Sequence, residues 1–167
     1  KRVKRSEGIM FQFLYQIHKL ITFLFTGEKI NFGNYSCLTK NDIKLIYDKA
    51  SLWSSFSGTV KKYIKNLNEI NSIRGLRYIG PSKMSLLSLV IHSFSIIAVF
   101  KFTVFLRSAF TLIFLSFLAK SYGLIIISIQ IMIVIFNLLI FVISIRENKK
   151  ALLESNENLL NVDEVIH

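Results

Sequence analysis

Residues 123–145 form a run of 23 amino acids without a single charged side chain. The run consists mostly of isoleucine, leucine, valine and phenylalanine. A helix rises about 1.5 Å per residue, so this run reaches about 30 Å or slightly more, the thickness of bilayer hydrocarbon. The sequence therefore predicts that this part of the chain lies in lipid and that the rest works beside a membrane.

A second apolar segment precedes this run and predicts a helical hairpin. Residues 102–119 are mostly apolar, with Arg107 near one end as their only charged residue, and Lys120 follows in a short turn. We expect both cations to reach toward the lipid headgroups. The predicted transmembrane hairpin covers residues 102–146, with crossings at about 102–119 and 123–145.

Polar residues surround and interrupt the predicted hairpin. Residues 84–101 are predicted to form a juxtamembrane segment with a serine-rich interface helix at about 85–100, and residues 147–167 a cytoplasmic tail. Gln130 and Asn137 lie seven residues apart on one face of the second crossing. We expect their amides to hydrogen-bond to the first crossing.

The positive charge of the chain is concentrated in its first half. Residues 1–83 contain 15 Lys and Arg against 5 Asp and Glu, hence +10, whereas residues 84–167 contain 6 against 5, hence +1. Basic flanks mark the cytoplasmic side of inner-membrane proteins, so both termini are predicted to be cytoplasmic. The charge also favours anionic lipid or phosphate. We expect no nucleic-acid partner, because no aromatic–basic stacking array occurs.

The first helix of the basic half is predicted at residues 9–26, with Gly27 as its stop. Its apolar residues at helical spacing are Phe13, Ile17, Leu20, Ile21 and Leu24, opposite Gln12, Gln16 and Lys19. This pattern favours an amphipathic helix in the headgroup plane. An ordinary core helix of a soluble domain is the alternative.

The remainder of the basic half predicts a small α/β unit. Helices are expected at about 41–49, capped by Thr39 or Asn41, and at about 52–67, and a short strand at 69–74. Trp53 and Phe56 are interpreted as core residues, and the single cysteine, Cys37, as a small buried hydrophobic residue. The three histidines lack ligand spacing, so no metal site is expected.

A cationic turn joins the two halves. Three cations, two glycines and a serine lie between Arg74 and Lys83. The guanidinium group fits pairs of phosphate oxygens, and Lys adds a point charge. We expect a phosphate clamp made of Arg74, Arg77, Ser82 and Lys83, with Arg2 and Arg5 as further candidates. The alternative is a set of basic residues that hold acidic lipid.

Two segments in this order resemble family-2 glycosyltransferases of the dolichol-phosphate mannosyltransferase, or polyprenyl-phosphate, group. Residues 77–83, Arg-Tyr-Ile-Gly-Pro-Ser-Lys, are similar to that family's Arg-x-x-Gly-x-Ser-Lys motif, which closes the catalytic domain and leads into membrane helices. Residues 32–38, Phe-Gly-Asn-Tyr-Ser-Cys-Leu, are similar to the family's Gly-Asp/Asn-Phe segment, which follows an interface helix. The resemblance covers most of residues 1–145.

The resemblance implies that residues 1–83 are the C-terminal part of a catalytic domain. The full enzyme would transfer a sugar from a nucleotide-sugar donor to a lipid-linked, polyprenyl-phosphate or polysaccharide acceptor. The family's nucleotide-sugar fold and its Asp-x-Asp, which takes Mg²⁺ or Mn²⁺, precede the matched part. We therefore expect no cofactor site here and no activity from the isolated chain.

The same resemblance implies that Gly33, Asn34 and Tyr35 line the acceptor or sugar pocket. Asn34 is the only catalytic candidate, because some relatives have there an Asp proposed as the general base. An amide cannot accept a proton at neutral pH, so either the base lies elsewhere, in the part that precedes these residues, or this subgroup uses a different arrangement.

The competing hypothesis is a non-enzymatic membrane anchor or assembly module whose basic face binds lipid or a partner. Under both hypotheses the fold is mainly α, with an interface helix, a small α/β remnant and a two-helix transmembrane hairpin.

Overall fold

The computed structural model describes residues 9–31, 35–68, 70–71 and 85–155. The described helices are, in chain order, α1 (Ile9–Thr26), α2 (Lys40–Ile46), α3 (Ser51–Ser54), α4 (Phe56–Tyr63), α5 (Leu86–Ala98) and α6 (Lys101–Ser144), and the chain is helical again at 149–155. No strand occurs among the described residues, so the predicted α/β remnant is not supported. Of the strand predicted at 69–74, residues 70–71 are described and are not in a strand, and the other four lie outside the described residues.

Helix α1 confirms the predicted bounds, and Gly27 ends it as expected. The Gly27 amide donates to the Phe23 carbonyl at 2.8 Å, and Gly27 has φ +77°. This left-handed conformation favours glycine. A Cβ at this position would also collide with the guanidinium of Arg107, so the helix end and the hairpin approach each other here.

Most of the predicted apolar face of α1 points away from the rest of the protein, since Phe13, Leu20 and Leu24 are exposed. The face toward the protein carries Phe25 and the buried Thr22 and Thr26. The two threonine hydroxyls donate to carbonyls four residues earlier in the helix, at 2.8 and 2.6 Å. The helix can thus bury hydroxyls on one side and offer apolar side chains on the other.

Helix α2 starts at the predicted cap and ends earlier than predicted. The Thr39 hydroxyl accepts from the Asp42 amide, and the Asp42 carboxylate accepts from the Thr39 amide at 3.1 Å, which is a capping box. The helix reaches Ile46, three residues short of the expected end.

The prediction of a single helix at 52–67 is wrong, because Ser55 separates two shorter helices, α3 and α4. Ser55 is extended (φ −158°, ψ 118°), and its hydroxyl accepts from the Gly58 amide at 3.2 Å as the cap of α4. A serine that caps a new helix competes with continuation of the old one. Helices α2–α4 then close over a small core of Ile46, Val60 and Ile64.

Two side-chain interpretations in this part require correction. Trp53 is 51% exposed, so it is not a core residue, whereas Phe56 does pack against the small core. Cys37 is exposed, so its interpretation as a buried residue is wrong. It lies in a non-helical segment before α2, where none of the described helices covers it.

Helices α3 and α4 approach α5 closely because the contact uses small residues. A Cβ on Gly58 would lie 3.0 Å from Val99 Cγ2 and 3.2 Å from the Ile96 carbonyl oxygen. The Ser54 hydroxyl donates to the Ser95 carbonyl at 3.4 Å. This contact holds the α2–α4 unit on the C-terminal half of α5.

Helix α6 is bent back on itself at Gly123, which has φ 40° and ψ −115°. The turn predicted at 120–123 is thus confined to one residue, with helix on both sides. We call residues Lys101–Ala119 the first arm and residues 123–144 the second arm. The Gln130 side chain on the second arm donates to Ser116 Oγ on the first at 3.0 Å, so the arms are antiparallel and this predicted contact is confirmed.

Both arms are long and apolar enough to cross a membrane, counting the helical residues after the second arm as its continuation. In an apolar 18-residue stretch of each span only 11% of the residues are buried. The helix of a soluble core would be mostly covered, whereas these arms expose large apolar side chains on most of their circumference.

The larger core lies where α1, α5 and the two arms meet. Its buried members include Ile97 near the end of α5, Val99 directly after α5, Val104 on the first arm and Ile140 on the second. The rings of Phe25 of α1 and Phe136 are tilted at 36° with centroids 4.3 Å apart, and the Phe94 ring of α5 meets Phe136 edge to face at 5.9 Å. Helices α1 and α5 therefore pack at the open end of the hairpin, opposite Gly123.

Candidate functional site

The predicted phosphate clamp and most of the predicted pocket lie outside the described residues. This holds for Arg74, Arg77, Ser82 and Lys83, for Arg2 and Arg5, and for Gly33 and Asn34. Tyr35 is described and is 95% exposed. These assignments remain predictions.

The clamp segment leads directly into α5. Ser85 caps this helix, and its hydroxyl accepts from the Ser88 amide at 3.1 Å. The first turns of α5 are exposed, including Leu87 and Val90, whereas residues 95–98 are buried. The N-terminus of α5, which is the positive end of its helix dipole, is thus exposed, and its other end is buried at the hairpin.

Arg107 joins α1 to the first arm. Its Nη1 donates to the Leu24 carbonyl oxygen at 3.2 Å, in the last turn of α1. A cation at a helix C-terminus interacts favourably with the unpaired carbonyls and the negative end of the helix dipole. The expected contact was with lipid headgroups, but the structure shows at least one contact with protein. Sequence reasoning missed it because the two residues lie 83 positions apart.

A cluster of three charges closes the open end of the hairpin. Lys101 Nζ, at the start of the first arm, lies 2.8 Å from Glu147 Oε2, just after the second arm. Lys62 of α4 donates to the Val99 carbonyl at 2.7 Å. Burial lowers the pKa of Lys62, an effect that Glu147 opposes and Lys101 reinforces.

This cluster could have been anticipated from the sequence. A turn near Gly123 places Lys101 opposite residues shortly after 144 in an antiparallel pair, and Glu147 is the only acid there. We assigned Glu147 to the tail instead, although its side chain is only 12% exposed and pairs with the arm.

The fold brings together two histidines that the sequence leaves apart. His18 on α1 is partly buried, and burial, followed by the charge of His92 on α5, lowers the pKa of His18. Thr22 Oγ1 lies 3.4 Å from His18 Nδ1. Among the described residues no group of three His, Cys, Asp or Glu side chains is placed to hold a metal ion.

No family model matches the chain, and no curated protein or solved structure matches it significantly. The resemblance to family-2 glycosyltransferases therefore rests on the sequences of residues 32–38 and 77–83. The open end of the hairpin is the candidate site on structural grounds, because α1, α4, α5 and both arms meet there.

Proposed function

We propose that this chain is the membrane-anchored, acceptor-side part of a glycosyltransferase. The enzyme would transfer a sugar from a nucleotide-sugar donor to a polyprenyl-phosphate, another lipid-linked acceptor or a polysaccharide. The observation that carries the proposal is the packing of α1 and α5 at the open end of the hairpin. The two segments that resemble family-2 enzymes, 32–38 and 77–83, follow α1 and precede α5 directly.

Membrane insertion of the hairpin is the first step of the proposal. The exposed residues of both arms are large and apolar, for example Phe110, Phe117, Ile125 and Met132. Continuous apolar surface of this kind is unfavourable in water and favourable in lipid. The outward-facing Phe13, Leu20 and Leu24 of α1 extend the same surface at the level of the headgroups.

Orientation follows from charge. Arg146, Lys149 and Lys150 come just after the second arm, and the strongly basic residues 1–83 precede α5. The positive-inside rule then puts the open end of the hairpin and both termini on the cytoplasmic side of the cell membrane. Nucleotide sugars are made in the cytoplasm, so a donor could reach this side.

The chemistry assigned to the clamp is electrostatic. Arg77 and Lys83 would hold the phosphate of the acceptor at the membrane surface, with its lipid tail beside α5 and the first arm. Arg74 and Ser82 would add hydrogen bonds. Fixed cations also stabilise the negative charge that develops on a departing diphosphate, and do so more strongly in the transition state than in the ground state.

A binding experiment on the full chain tests the clamp. The chain is placed in nanodiscs of neutral lipid, and binding of a polyprenyl phosphate is measured. The variant Arg77→Gln/Lys83→Gln should bind it at least about tenfold more weakly, since two charge-assisted contacts are lost. The matched control, Lys40→Gln/Lys44→Gln, removes the same charge from exposed positions on α2 and should change binding by less than about twofold.

Equal losses in the two variants would contradict a specific clamp. They would instead favour the second hypothesis, an anchor or assembly module whose overall positive charge attracts anionic lipid. The exposed lysines of α2 are the feature that favours that hypothesis.

A further inference from the structure

Arg107 is the only charged residue between positions 102 and 119 of the first arm. It is exposed, and so are Leu106 beside it and Phe110 one turn further along the arm. Leu24 of α1, whose carbonyl accepts from Arg107, is also exposed. A cation therefore adjoins apolar side chains that face lipid in the proposed orientation.

The end of α1 holds the guanidinium group of Arg107. Its Nη1 donates to the Leu24 carbonyl oxygen at 3.2 Å. The guanidinium also lies against Gly27, because a Cβ at that position would overlap Nη2 and lie 3.0 Å from Cζ. A side chain that is already held in this way loses less conformational entropy when it binds a ligand than a free surface arginine does.

Most N–H groups of this guanidinium have no partner among the described residues. Arg has five N–H donors, and the bond to Leu24 uses one of them. No described carboxylate forms an ion pair with it, since Glu28, which follows Gly27 in the chain, pairs instead with Lys61 at 3.5 Å. The guanidinium therefore keeps its charge and four donors for a further ligand.

Several other polar side chains of the arms direct their donors to the protein. The exposed hydroxyls of Thr111 and Ser128 donate to carbonyls four residues earlier, at 2.8 and 2.9 Å. Asn137 donates to the Ile133 carbonyl of its own helix at 2.8 Å, and not to the first arm as predicted. Arg107 differs from these side chains because most of its donors lack an acceptor in the described part of the protein.

The depth of Arg107 decides which acceptor is available. Arg107 lies six residues after Lys101, about 9 Å along the first arm, and contacts α1, which lies at the level of the headgroups in the proposed orientation. A long cationic side chain near the end of a membrane helix extends toward the headgroups. The anions at that level are lipid phosphates, and the guanidinium fork matches two phosphate oxygens.

We propose that Arg107 and the C-terminal end of α1 form a binding site for the phosphate of an anionic membrane phospholipid. Two N–H groups of the guanidinium donate to two phosphate oxygens, and the acyl chains lie along Leu106 and Phe110. Phosphatidic acid fits best, because a phosphomonoester carries more charge and more free oxygens than a phosphodiester. The site uses no residue of the predicted clamp, and the bound lipid would hold the end of α1 at the membrane surface.

The test uses the full chain in phosphatidylcholine vesicles that contain spin-labelled phosphatidic acid. The preference of the protein for this lipid over spin-labelled phosphatidylcholine is measured by electron paramagnetic resonance. Arg107→Gln should lower the preference by at least about fivefold, because the charge-assisted hydrogen bonds are lost.

Arg146→Gln is the matched control. It removes the same charge from an exposed arginine just after the second arm, and it should change the preference by less than about twofold. Equal losses in the two variants would mean that positive charge attracts acidic lipid without a formed site, and they would overturn the proposal.

Two variants that keep the charge separate the site from the charge alone. Gly27→Ala puts a methyl group where the guanidinium lies and displaces it from the helix end, so the preference should fall by at least about threefold. Arg107→Lys keeps a cation but loses the planar fork, so its preference should stay closer to that of Arg107→Gln than to that of the unchanged chain.

An undiminished preference in either variant would overturn the site. Circular dichroism checks that α1 remains helical in Gly27→Ala. If that helix is lost, Arg107→Lys, which leaves Gly27 in place, decides the question.

The lipid site rests on the membrane insertion that we propose above, and not on glycosyl transfer. Extraction of the vesicles with alkaline carbonate separates the two. A chain that is extracted contradicts membrane insertion, whereas a chain that stays in the vesicles without preferring phosphatidic acid contradicts only the lipid site. Inorganic phosphate should displace the labelled lipid no better than chloride of the same ionic strength. Stronger displacement by phosphate would assign the site to free phosphate and overturn the lipid assignment.

Discussion

The α2–α4 unit and the hairpin arms are both helical, but they place apolar residues in opposite ways. The α2–α4 unit buries Ile46, Val60 and Ile64 in a small core and exposes lysines. The arms bury few residues and expose phenylalanine, isoleucine and leucine along most of their length. The unit is built as a protein in water is built, whereas the arms are suited to lipid.

Buried hydroxyl groups show the same difference. In the α2–α4 unit Thr59 Oγ1 donates to Ser51 Oγ at 2.9 Å, and Ser55 Oγ caps α4. In the hairpin, Ser108 Oγ is buried and has no hydrogen-bond partner among the described residues. A hydroxyl at the surface of a water-facing unit can hydrogen-bond to water, whereas a hydroxyl in hydrocarbon depends on partners within the protein.

The largest expected effect comes from one apolar-to-lysine change made in each region. Met132 on the second arm is 70% exposed and Leu45 on α2 is 52% exposed. If the arms lie in lipid, Met132→Lys should disfavour insertion by about 2.5 to 3.5 kcal/mol. Leu45→Lys should change the free energy of unfolding by less than about 0.5 kcal/mol. Insertion is measured with a glycosylation reporter and unfolding by thermal denaturation.

A small effect of Met132→Lys would break the comparison. It would mean that the exposed apolar face of the second arm is not in hydrocarbon, whatever its length. A large effect of Leu45→Lys would mean that α2 also faces an apolar environment, and it would contradict the contrast between the α2–α4 unit and the arms.

The next effect concerns the ion pair that joins the two arms near α4. Glu147→Gln leaves Lys101 without its carboxylate and next to the charge of Lys62, so it should destabilise the open end of the hairpin by about 1 to 3 kcal/mol. Hydrogen exchange of the residues around Lys101 measures the change. Glu154→Gln, which breaks an exposed pair with Lys150, is the control and should cost less than about 0.5 kcal/mol.

If the double variant Lys101→Gln/Glu147→Gln is as unstable as Glu147→Gln alone, the destabilisation does not come from the unpaired charge of Lys101. The double variant should recover part of the lost free energy, because it leaves no uncompensated cation in the pair.

Local rules predicted the ends of several helices. Gly27 stops α1 because it takes up a left-handed conformation directly after the last helical residue, and Thr39 starts α2 because its hydroxyl reaches the amide three residues on. The hairpin followed from the uncharged run and from Gly123. These features depend on neighbours within a few positions, and a sequence displays such neighbours directly.

Contacts between distant elements were not predictable in the same way. Ser55 could have continued a helix, and only its cap on Gly58, packed against α5, shows that it does not. Arg107 meets Leu24 because α1 turns toward the first arm, which no local pattern encodes. The clamp motif could be recognised as a pattern, but its geometry lies outside the described residues.

The smallest expected effect is a pH response at the contact between α1 and α5, the two helices that pack at the open end of the hairpin. Burial lowers the pKa of His18 from its ordinary value of 6.5, and the charge of His92 lowers it further. The folded chain therefore binds fewer protons at His18 than the unfolded chain. Consequently the free energy of unfolding should fall as the pH drops below about 6.5, until the lowered pKa of the folded state is passed. Thermal unfolding between pH 8 and pH 5 measures this slope.

His18→Gln should remove this part of the slope, since the side chain no longer titrates. His92→Gln should make it shallower but not abolish it, because burial, the larger cause, remains. An unchanged slope in His18→Gln would mean that the contact between α1 and α5 does not depend on a neutral histidine. A full loss of the slope in His92→Gln would assign the lowered pKa of His18 to repulsion between the two rings. Burial of His18 would then not be the larger cause.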